Sequence, residues 1–454
     1  MAGDSKELAR AHLADAGVEE LPDDWDVVTL GDIFTEDRGI AVGVMYPGDH
    51  DPDGVPLIKA GDLNGSIINP QPDFRISRDK HHEYRRTALE GGELLMTLVG
   101  NVGQCAVVPP RMAGWNTARA VAVMRLADSS ETHFVQQCLL SRPLQHLMSV
   151  WCNTTVQATL NLKEIRQLPL PWPPKKSRDA IAAFGKALDD KIELNRRMNA
   201  TLEAMARALF QSWFVDFDPV RAKQEGRKPT GMDDATAALF PEHLENSPLG
   251  HIPKGWKATT LGACIGFRSG FSFKSQDWQE TGVPVVKIGS VKPGIIDLTQ
   301  VSYVSEEIAH QATRYRLTTG DMLIGMTGYV GEVGLVPPSD NPPLLNQRVG
   351  KFVMAKPGTE SLGFWYCATR QPEFKAFVEA RSHGTAQANV SGESIMEFPL
   401  VVPPAGILDA FNRDCQPLLD RILSNHGESR TLATLRDTLL PKLLSGELSV
   451  ESEH

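Results

Sequence analysis

The sequence predicts an α+β protein: two pseudo-twofold-related α+β units joined by two long helices that form an antiparallel intramolecular coiled coil. Three observations predict it. The stretch from Lys175 to Phe214 holds one glycine and no proline in about 40 residues. Ala, Leu, Met, Glu and Arg, all good helix formers, dominate it. Its apolar positions recur in heptads, with Ile181, Leu188, Asn195, Leu202 and Leu209 in one slot and Phe184, Met198 and Met205 in a second. That is the spacing of a coiled-coil seam. A shift of 230 residues then repeats the first slot as Phe411, Leu418, Asn425, Leu432 and Leu439, with Asn again third of five. A seam Asn sets register at some cost in stability. If the two helices pair antiparallel, Asn195 and Asn425 fall near each other.

Nearly the same shift, 230 or 231 residues, works outside the helices. LPDDWDVVTLG from Leu21 answers IPKGWKATTLG from Ile252, and LPLPWPP from Leu168 answers FPLVVPP from Phe398. With two residues adjusted, GVPLIKAG at Gly54 answers GVPVVKIG at Gly282, and ELLMTLVGNVGQCAVVPP at Glu93 answers DMLIGMTGYVGEVGLVPP at Asp321. Two copies this long are not a solenoid, whose periods are shorter and more numerous.

Taken in order, residues 1–20 form an N-terminal tail, expected as a short helix or a frayed end. Residues 21–174 form the first unit, in which short β-type runs alternate with Gly, Pro and Asn turns and one helix is expected from Phe134 to Val150. The first long helix covers 175–217. Residues 218–251, rich in Pro, Gly and charge, read as an ordered but irregular linker. The second unit is 252–404, and the second long helix falls within 405–454. Proline pairs at 173–174 and 403–404 stop each unit just before its helix.

Net charge is −10. That argues against indiscriminate nucleic-acid binding, which needs local cations, but leaves room for a basic cleft. Six Cys form no CxxC pair and no metal spacing, and so read as reduced thiols of a cytoplasmic protein. No apolar run approaches transmembrane length, and the acidic N-terminus does not read as a signal peptide.

Two variable α+β units, each closed by a Gln-containing turn and a Pro-rich strand and followed by a long helix, resemble the DNA-specificity subunit of type I restriction–modification enzymes. LFQSWFVDFDP at Leu209 resembles the central conserved region of that family, and LRDTLLPKLLSGEL at Leu435 its C-terminal one. The resemblance covers nearly the whole chain. It implies a non-catalytic subunit whose two target recognition domains each read one half of a split, asymmetric duplex DNA sequence. It implies two methyltransferase subunits docked on the helices, with restriction/translocase subunits joining them. S-adenosylmethionine, ATP and Mg2+ are then expected on those partners and no cofactor on this chain. The first unit departs from the pattern, with Asn153-Thr154-Thr155-Val156-Gln157 where the second has His383-Gly384-Thr385-Ala386-Gln387. Only Gln157 and Gln387 are therefore carried over as DNA contacts.

No chemical engine is expected. Asp340-Asn341-Pro342-Pro343 looks like an amino-methyltransferase motif, but Leu344 stands where an aromatic belongs and no glycine-rich loop for the methyl donor follows a strand. It reads as a turn. Asp189-Asp190-Lys191 resembles a nuclease D-x-K but sits mid-helix, where a solvated face is the better account. No GxxxxGK[ST] phosphate loop is present.

For DNA contact, Phe74 to Arg86 carries Arg75, Arg78, Lys80, Arg85 and Arg86 against two acidic residues, with Tyr84 interleaved. It is either a phosphate-gripping loop or an exposed charged helix start. Arg314 and Arg316 fall in the matched region of the second unit. The glycine loops Gly100–Gln104 and Gly328–Glu332 present Asn101 and Gln104, and Tyr329 and Glu332. Asn and Gln can bond adenine bidentately and Glu can accept from cytosine, although a plain hairpin also explains the glycines. Lys59, Lys287, Arg119 and Arg348 follow strands in corresponding places and complete the candidates. Phe210, Trp213 and Phe214, with Leu440 and Leu443, are either core capping the coiled coil or anchors for a methyltransferase subunit. The rival reading is a coiled-coil scaffold whose units bind protein or sugar; a second keeps DNA recognition but pairs it with a fused methyltransferase–nuclease.

Overall fold

The computed structural model of the chain describes residues 2–37, 39–154, 157–354, 362–383 and 388–449. Contacts divide it into two units, Met1–Glu193 with Thr431–His454, and Leu194–Arg430. The divisions fall inside the two long helices, Lys175–Phe210 and Ala405–Leu444, so each unit owns one end of both.

In the first unit an antiparallel sheet runs Ile40–Val42, Val121–Met124, Leu94–Thr97, Cys105–Val107. A second sheet runs Arg75–Ile76, Val55–Ile58, Asn116–Thr117, its last pairing parallel. Strands Leu94–Thr97 and Val121–Met124 are buried at every position, as expected of central strands covered on both faces. The tail is a helix, Ala2–Asp15, that seats Ala9 and Leu13 in the core. The single helix expected over 134–150 is two, Thr132–Leu140 and Arg142–Trp151. Ser141 is extended and Pro143 sits in the first turn of the second helix, where its missing N–H costs nothing.

The second unit repeats the plan with one extra strand in each of the two sheets. A five-stranded sheet runs Gly266–Ser269, Val349–Val353, Met322–Gly325, Val333–Leu335, Gly294–Ile295. A four-stranded sheet runs Trp278–Gln279, Ser302–Val304, Val283–Val286, Leu344–Leu345. The segment expected as an irregular linker is structured. It forms helices Asp218–Gln224 and Asp234–Leu239, then a hairpin of Leu244–Ser247 with Gly250–Pro253. Asp233 caps the second helix through Thr236 N at 2.6 Å, Val220 and Phe240 join the core and Ala237 is buried. Enough apolar residues are interspersed among the Pro and Gly to anchor short elements.

The helices pair within each unit. In the first, Asp189 accepts from Arg436 at 2.6 Å and Ile181 packs with Leu440 and Leu443. In the second, Asn195 donates to Glu428 at 2.8 Å while Asn425 donates to Asn199 at 2.8 Å, so one number rises as the other falls and the pair is antiparallel. Asn195 Nδ2 lies 3.5 Å from the Asn425 carbonyl. The ten residues of the first slot are all buried or half-buried. The second slot is not continuous: Met205 is 52% exposed and Ala206 is buried in its place. Asp189 is also not on a solvated face, since it bonds Gln137 and Arg436. Asp340–Pro343, expected as a turn, is irregular, with a bend at Asp340 and Asn341, and leads into the buried strand Leu344–Leu345.

Candidate nucleic-acid interface

Both units build the same backbone frame from unlike side chains. In the first, the strand Asn116–Thr117 ends in a turn in which three amides are bonded: Ala118 N donates to Ile58 O, Arg119 N to Val44 O and Val121 N to Ala118 O, at 2.8–2.9 Å. In the second, Asn346 N donates to Val286 O, Gln347 N to Phe271 O and Val349 N to Asn346 O, at 2.9–3.2 Å. The turn is reached from the side by a strand whose glycine allows close approach. A Cβ on Gly43 would sit 2.0 Å from Thr117 O, and one on Gly270 2.3 Å from Leu345 O.

Two further segments zip onto each turn. Leu98 N donates to Ala120 O and Leu160 N to Leu98 O; Met326 N donates to Arg348 O and Val390 N to Met326 O. The glycine loop follows directly, with Gly100 N on Ala158 O at 3.0 Å and Gly328 N on Ala388 O at 3.2 Å. Turn, glycine loop and the segment beginning at Gln157 therefore lie side by side in the first unit, and their counterparts do so in the second. Residues 384–387, Gln387 among them, lie outside the described residues. The glycines themselves close hairpins, at positive φ of 73–84°, as the plainer expectation had it.

This frame corrects one equivalence. Arg119 and Arg348 were expected to correspond, yet the hydrogen bonds pair Arg119 with Gln347 and Ala120 with Arg348. Gln347, exposed beside Arg348, was not a sequence candidate; the repeat runs at a shift of 228 before the turn and 230 after it, and the hydrogen bonds fix 228 at the turn itself. Lys59 and Lys287 do occupy matching places, each preceding a 3-10 turn, Ala60–Asp62 and Ile288–Ser290.

The candidates separate into engaged and unengaged groups. Lys59 pairs with Asp73 at 2.9 Å, and that hydrogen bond, reinforced by the Lys59 charge, holds the Asp73 carboxyl below its ordinary value. Arg75 donates to Gly54 O at 2.9 Å, Arg86 to Asp37 O at 3.2 Å and Arg316 to Pro342 O at 3.3 Å. Lys80 pairs with Glu83, Lys287 donates to Ser302 at 3.1 Å, and Arg314 bonds the Tyr315 hydroxyl. Gln104, expected to face a base, accepts from Gly65 N at 2.7 Å, and Glu332 pairs with Lys375. Both acceptors are already engaged within the fold, so these bonds would have to break before either group met a base. Arg78, Arg85, Asn101, Arg119, Gln157, Tyr329, Gln347 and Arg348 are exposed. Of these eight, Asn101 accepts from Gln104 Nε2 at 3.4 Å and Lys292 lies over the Tyr329 ring, while the others, Arg119, Gln347 and Arg348 included, make no side-chain hydrogen bond or ion pair among the described residues.

The basic segment is not repeated in kind. Its helix Arg78–Glu83, capped by Ser77, corresponds to Glu306–Gln311, capped by Ser305, which begins with two glutamates. Only Arg86 and Arg314 share a position across the repeat. In the second unit, clefts of about 550 and 250 Å3 flank Gln347 and Arg348, which line both.

The expected methyltransferase contacts are core. Trp213 is 2% exposed, and Phe210, Phe214, Leu440 and Leu443 are likewise buried. Phe214 stacks edge-on against Phe364 and Phe411, with centroids 5.0 and 4.9 Å apart, and Trp213 against Phe240 at 5.1 Å. Their surface is already consumed within this chain. Exposed apolar side chains of the helices are instead Leu194, Met205 and Leu435. Among the described residues no group of three His, Cys, Asp or Glu is placed to hold a metal, and no helix is long and apolar enough to cross a membrane.

Comparison with known proteins agrees with this two-copy plan. The type I restriction enzyme HindI specificity subunit of Haemophilus influenzae is 27% identical over 331 residues, covering 64% of this chain and 71% of that protein. The MjaIX specificity subunit of Methanocaldococcus jannaschii is 22% identical over 448 residues, 96% of each. The crystal structure of a type I restriction–modification S subunit from M. genitalium shares the fold, with a TM-score of 0.50 at 17% identity, over 92% of this chain and 96% of that one. The family model described as the type I restriction modification DNA specificity domain matches residues 22–204 and again 253–431. The chain therefore belongs to the type I restriction–modification DNA-specificity family and carries its domain twice.

Proposed function

We propose that the chain is the sequence-reading subunit of a type I restriction–modification assembly. Each unit reads one half of a split, asymmetric duplex site, and the chain does no chemistry itself. One observation carries this reading: an identical hydrogen-bonded frame occurs in both units and presents Arg119 in one and Gln347 with Arg348 in the other. A binder of one repeated ligand would keep its contact residues alike, whereas two different half-sites require them to differ.

Two methyltransferase subunits and the restriction/translocase subunits are the proposed partners, holding S-adenosylmethionine, ATP and Mg2+. Met205 and Leu435 are equivalent under the 230-residue shift and exposed by 52% and 42%, which supports one docking point per methyltransferase. Base flipping and methyl transfer then belong to the partner.

The test is methylome sequencing of cells co-expressing the chain with its modification subunits. The expected result is a two-part asymmetric motif with an unread spacer. Methyl transfer by the purified chain alone would contradict the reading. A protein- or sugar-binding scaffold would show little salt dependence, whereas DNA readout predicts affinity that falls linearly in log–log against salt.

A further inference from the structure

We propose that the turn residues Arg119 in the first unit and Gln347 with Arg348 in the second are the base-reading residues of the chain. The first turn reads one guanine; the second reads an adenine and a guanine. This rests on the DNA-reading function proposed above and names its specificity determinants.

Reading needs a rigid mount. A side chain that discriminates bases must be aimed by a backbone that does not adapt to the wrong base. Both turns meet this: the amides of Arg119 and Gln347 are bonded sideways at 2.9 Å, and the carbonyls of Ala120 and Arg348 accept from Leu98 and Met326. The backbone beside them is in close contact, because Gly43 and Gly270 pack where a Cβ would meet Thr117 O or Leu345 O.

The readers must also be unoccupied. Most other cationic candidates are held by the fold: Lys59 by Asp73, Arg75 by a carbonyl, Lys287 by Ser302. Arg119, Gln347 and Arg348 are exposed, and no bond within the described residues must break before they meet a base. Arg78 and Arg85 are exposed too, but they belong to a segment whose counterpart begins with glutamates. A phosphate grip needed by both half-sites would be repeated, since every half-site has phosphates.

Side-chain chemistry then sets the base class. An Arg fork matches guanine O6 and N7, and the Gln amide matches adenine N6 and N7. Asn346 braces the second turn by accepting from Arg348 N at 3.1 Å. Ala118 stands in its place in the first unit, where this side-chain brace is absent. The cleft on either side of Gln347 and Arg348 gives neighbouring groups of the duplex room to sit.

The experiment uses the full chain co-expressed with its modification subunits and read by methylome sequencing, followed by equilibrium binding of the purified chain to duplexes carrying the motif and its single-base variants. Arg119→Ala should relax one position of one half-site, lowering discrimination there by about 5- to 150-fold. Gln347→Ala and Arg348→Ala should each relax one position in the other half-site. Arg348→Lys keeps the charge but loses the fork, so the salt slope should persist while guanine preference falls. Circular dichroism of each variant checks that these exposed substitutions leave the fold intact. Uniform weakening on all duplexes, with the salt slope reduced by about one, would reassign these residues to phosphate contact and overturn the proposal. An unchanged motif in all variants would also overturn it while leaving the parent function standing. A wild-type assembly that methylates no defined sequence would sink both.

Discussion

Asp189 and Arg436 meet across the helix pair of the first unit at 2.6 Å, with Gln137 donating to the same carboxylate at 3.1 Å. Shifted by 230 residues, the three places hold Leu419, Ala206 and Cys367, all buried in the second unit. One unit thus ties its helices with charge where the other packs them apolar. Burial alone would pull the Arg436 pKa down, but Asp189 and Asp437 outweigh it and leave the guanidinium raised. Asp189→Ala should destabilise the first unit by about 1.5–3 kcal/mol, the range for hydrogen bonds to charged groups. Installing all three of the second unit's residues, Asp189→Leu with Arg436→Ala and Gln137→Cys, should return stability to within about 1 kcal/mol, because removing the partners together leaves neither a buried charge nor the Gln137 amide unpaired. Urea midpoints check this, and a triple variant no better than the single would refute it.

The seam asparagines are incompletely satisfied. Each donates through Nδ2, but Oδ1 of Asn195 and of Asn425 has no partner among the described residues. A buried unsatisfied acceptor costs about 1–3 kcal/mol. Changing both to Leu should therefore raise the thermal midpoint, measured by calorimetry. A lowered midpoint would mean that their donor bonds outweigh the two orphaned oxygens.

Trp213 and Met205 should respond oppositely. Trp213→Ala opens a cavity in the aromatic core of the second unit and should cost about 3–5 kcal/mol. Met205→Arg touches an exposed position and should shift stability by no more than about 0.5 kcal/mol, while weakening capture of the methyltransferase subunit. Denaturation and analytical ultracentrifugation separate the two effects. If Trp213→Ala spared stability but abolished partner binding, the aromatic cluster would be an anchor after all.

His426 predicts a pH dependence. Burial holds its imidazole below the ordinary value, against an opposing pull from Glu203. The unfolded chain therefore binds that proton more readily, and stability contributed by neutral His426 is present above about pH 6.5 and lost as pH falls toward the lower folded value. His426→Gln should flatten the acid side of the stability profile relative to wild type. Parallel profiles for the two proteins would rule out His426 as a contributor.

Much of this was legible in the chain. Repetition exposed the two units, and the heptads exposed the helices, because helix-forming composition and apolar spacing are local properties. Engagement was not legible. Gln104 and Glu332 carry the right groups for reading bases, yet Gly65 N and Lys375 occupy them, and those partners are distant in sequence. The aromatic residues ending the first helix carried no signal to tell core from anchor, since both roles favour large rings. The stretch after it, read as irregular, gained helices from tertiary burial of Val220, Ala237 and Phe240.

The sequence by itself determined the two-unit plan, the helix pair with its opposed asparagines and the family, all of which rest on pattern. Only the tertiary structure decided which residue of one turn answers which of the other. Arg119 and Arg348 look equivalent in the one-dimensional repeat because charge catches the eye. The amide of Arg119 on Val44 O and that of Gln347 on Phe271 O show the true register. A ladder of hydrogen bonds fixes position to a single residue, whereas insertions let a sequence repeat slip by one without any change in composition.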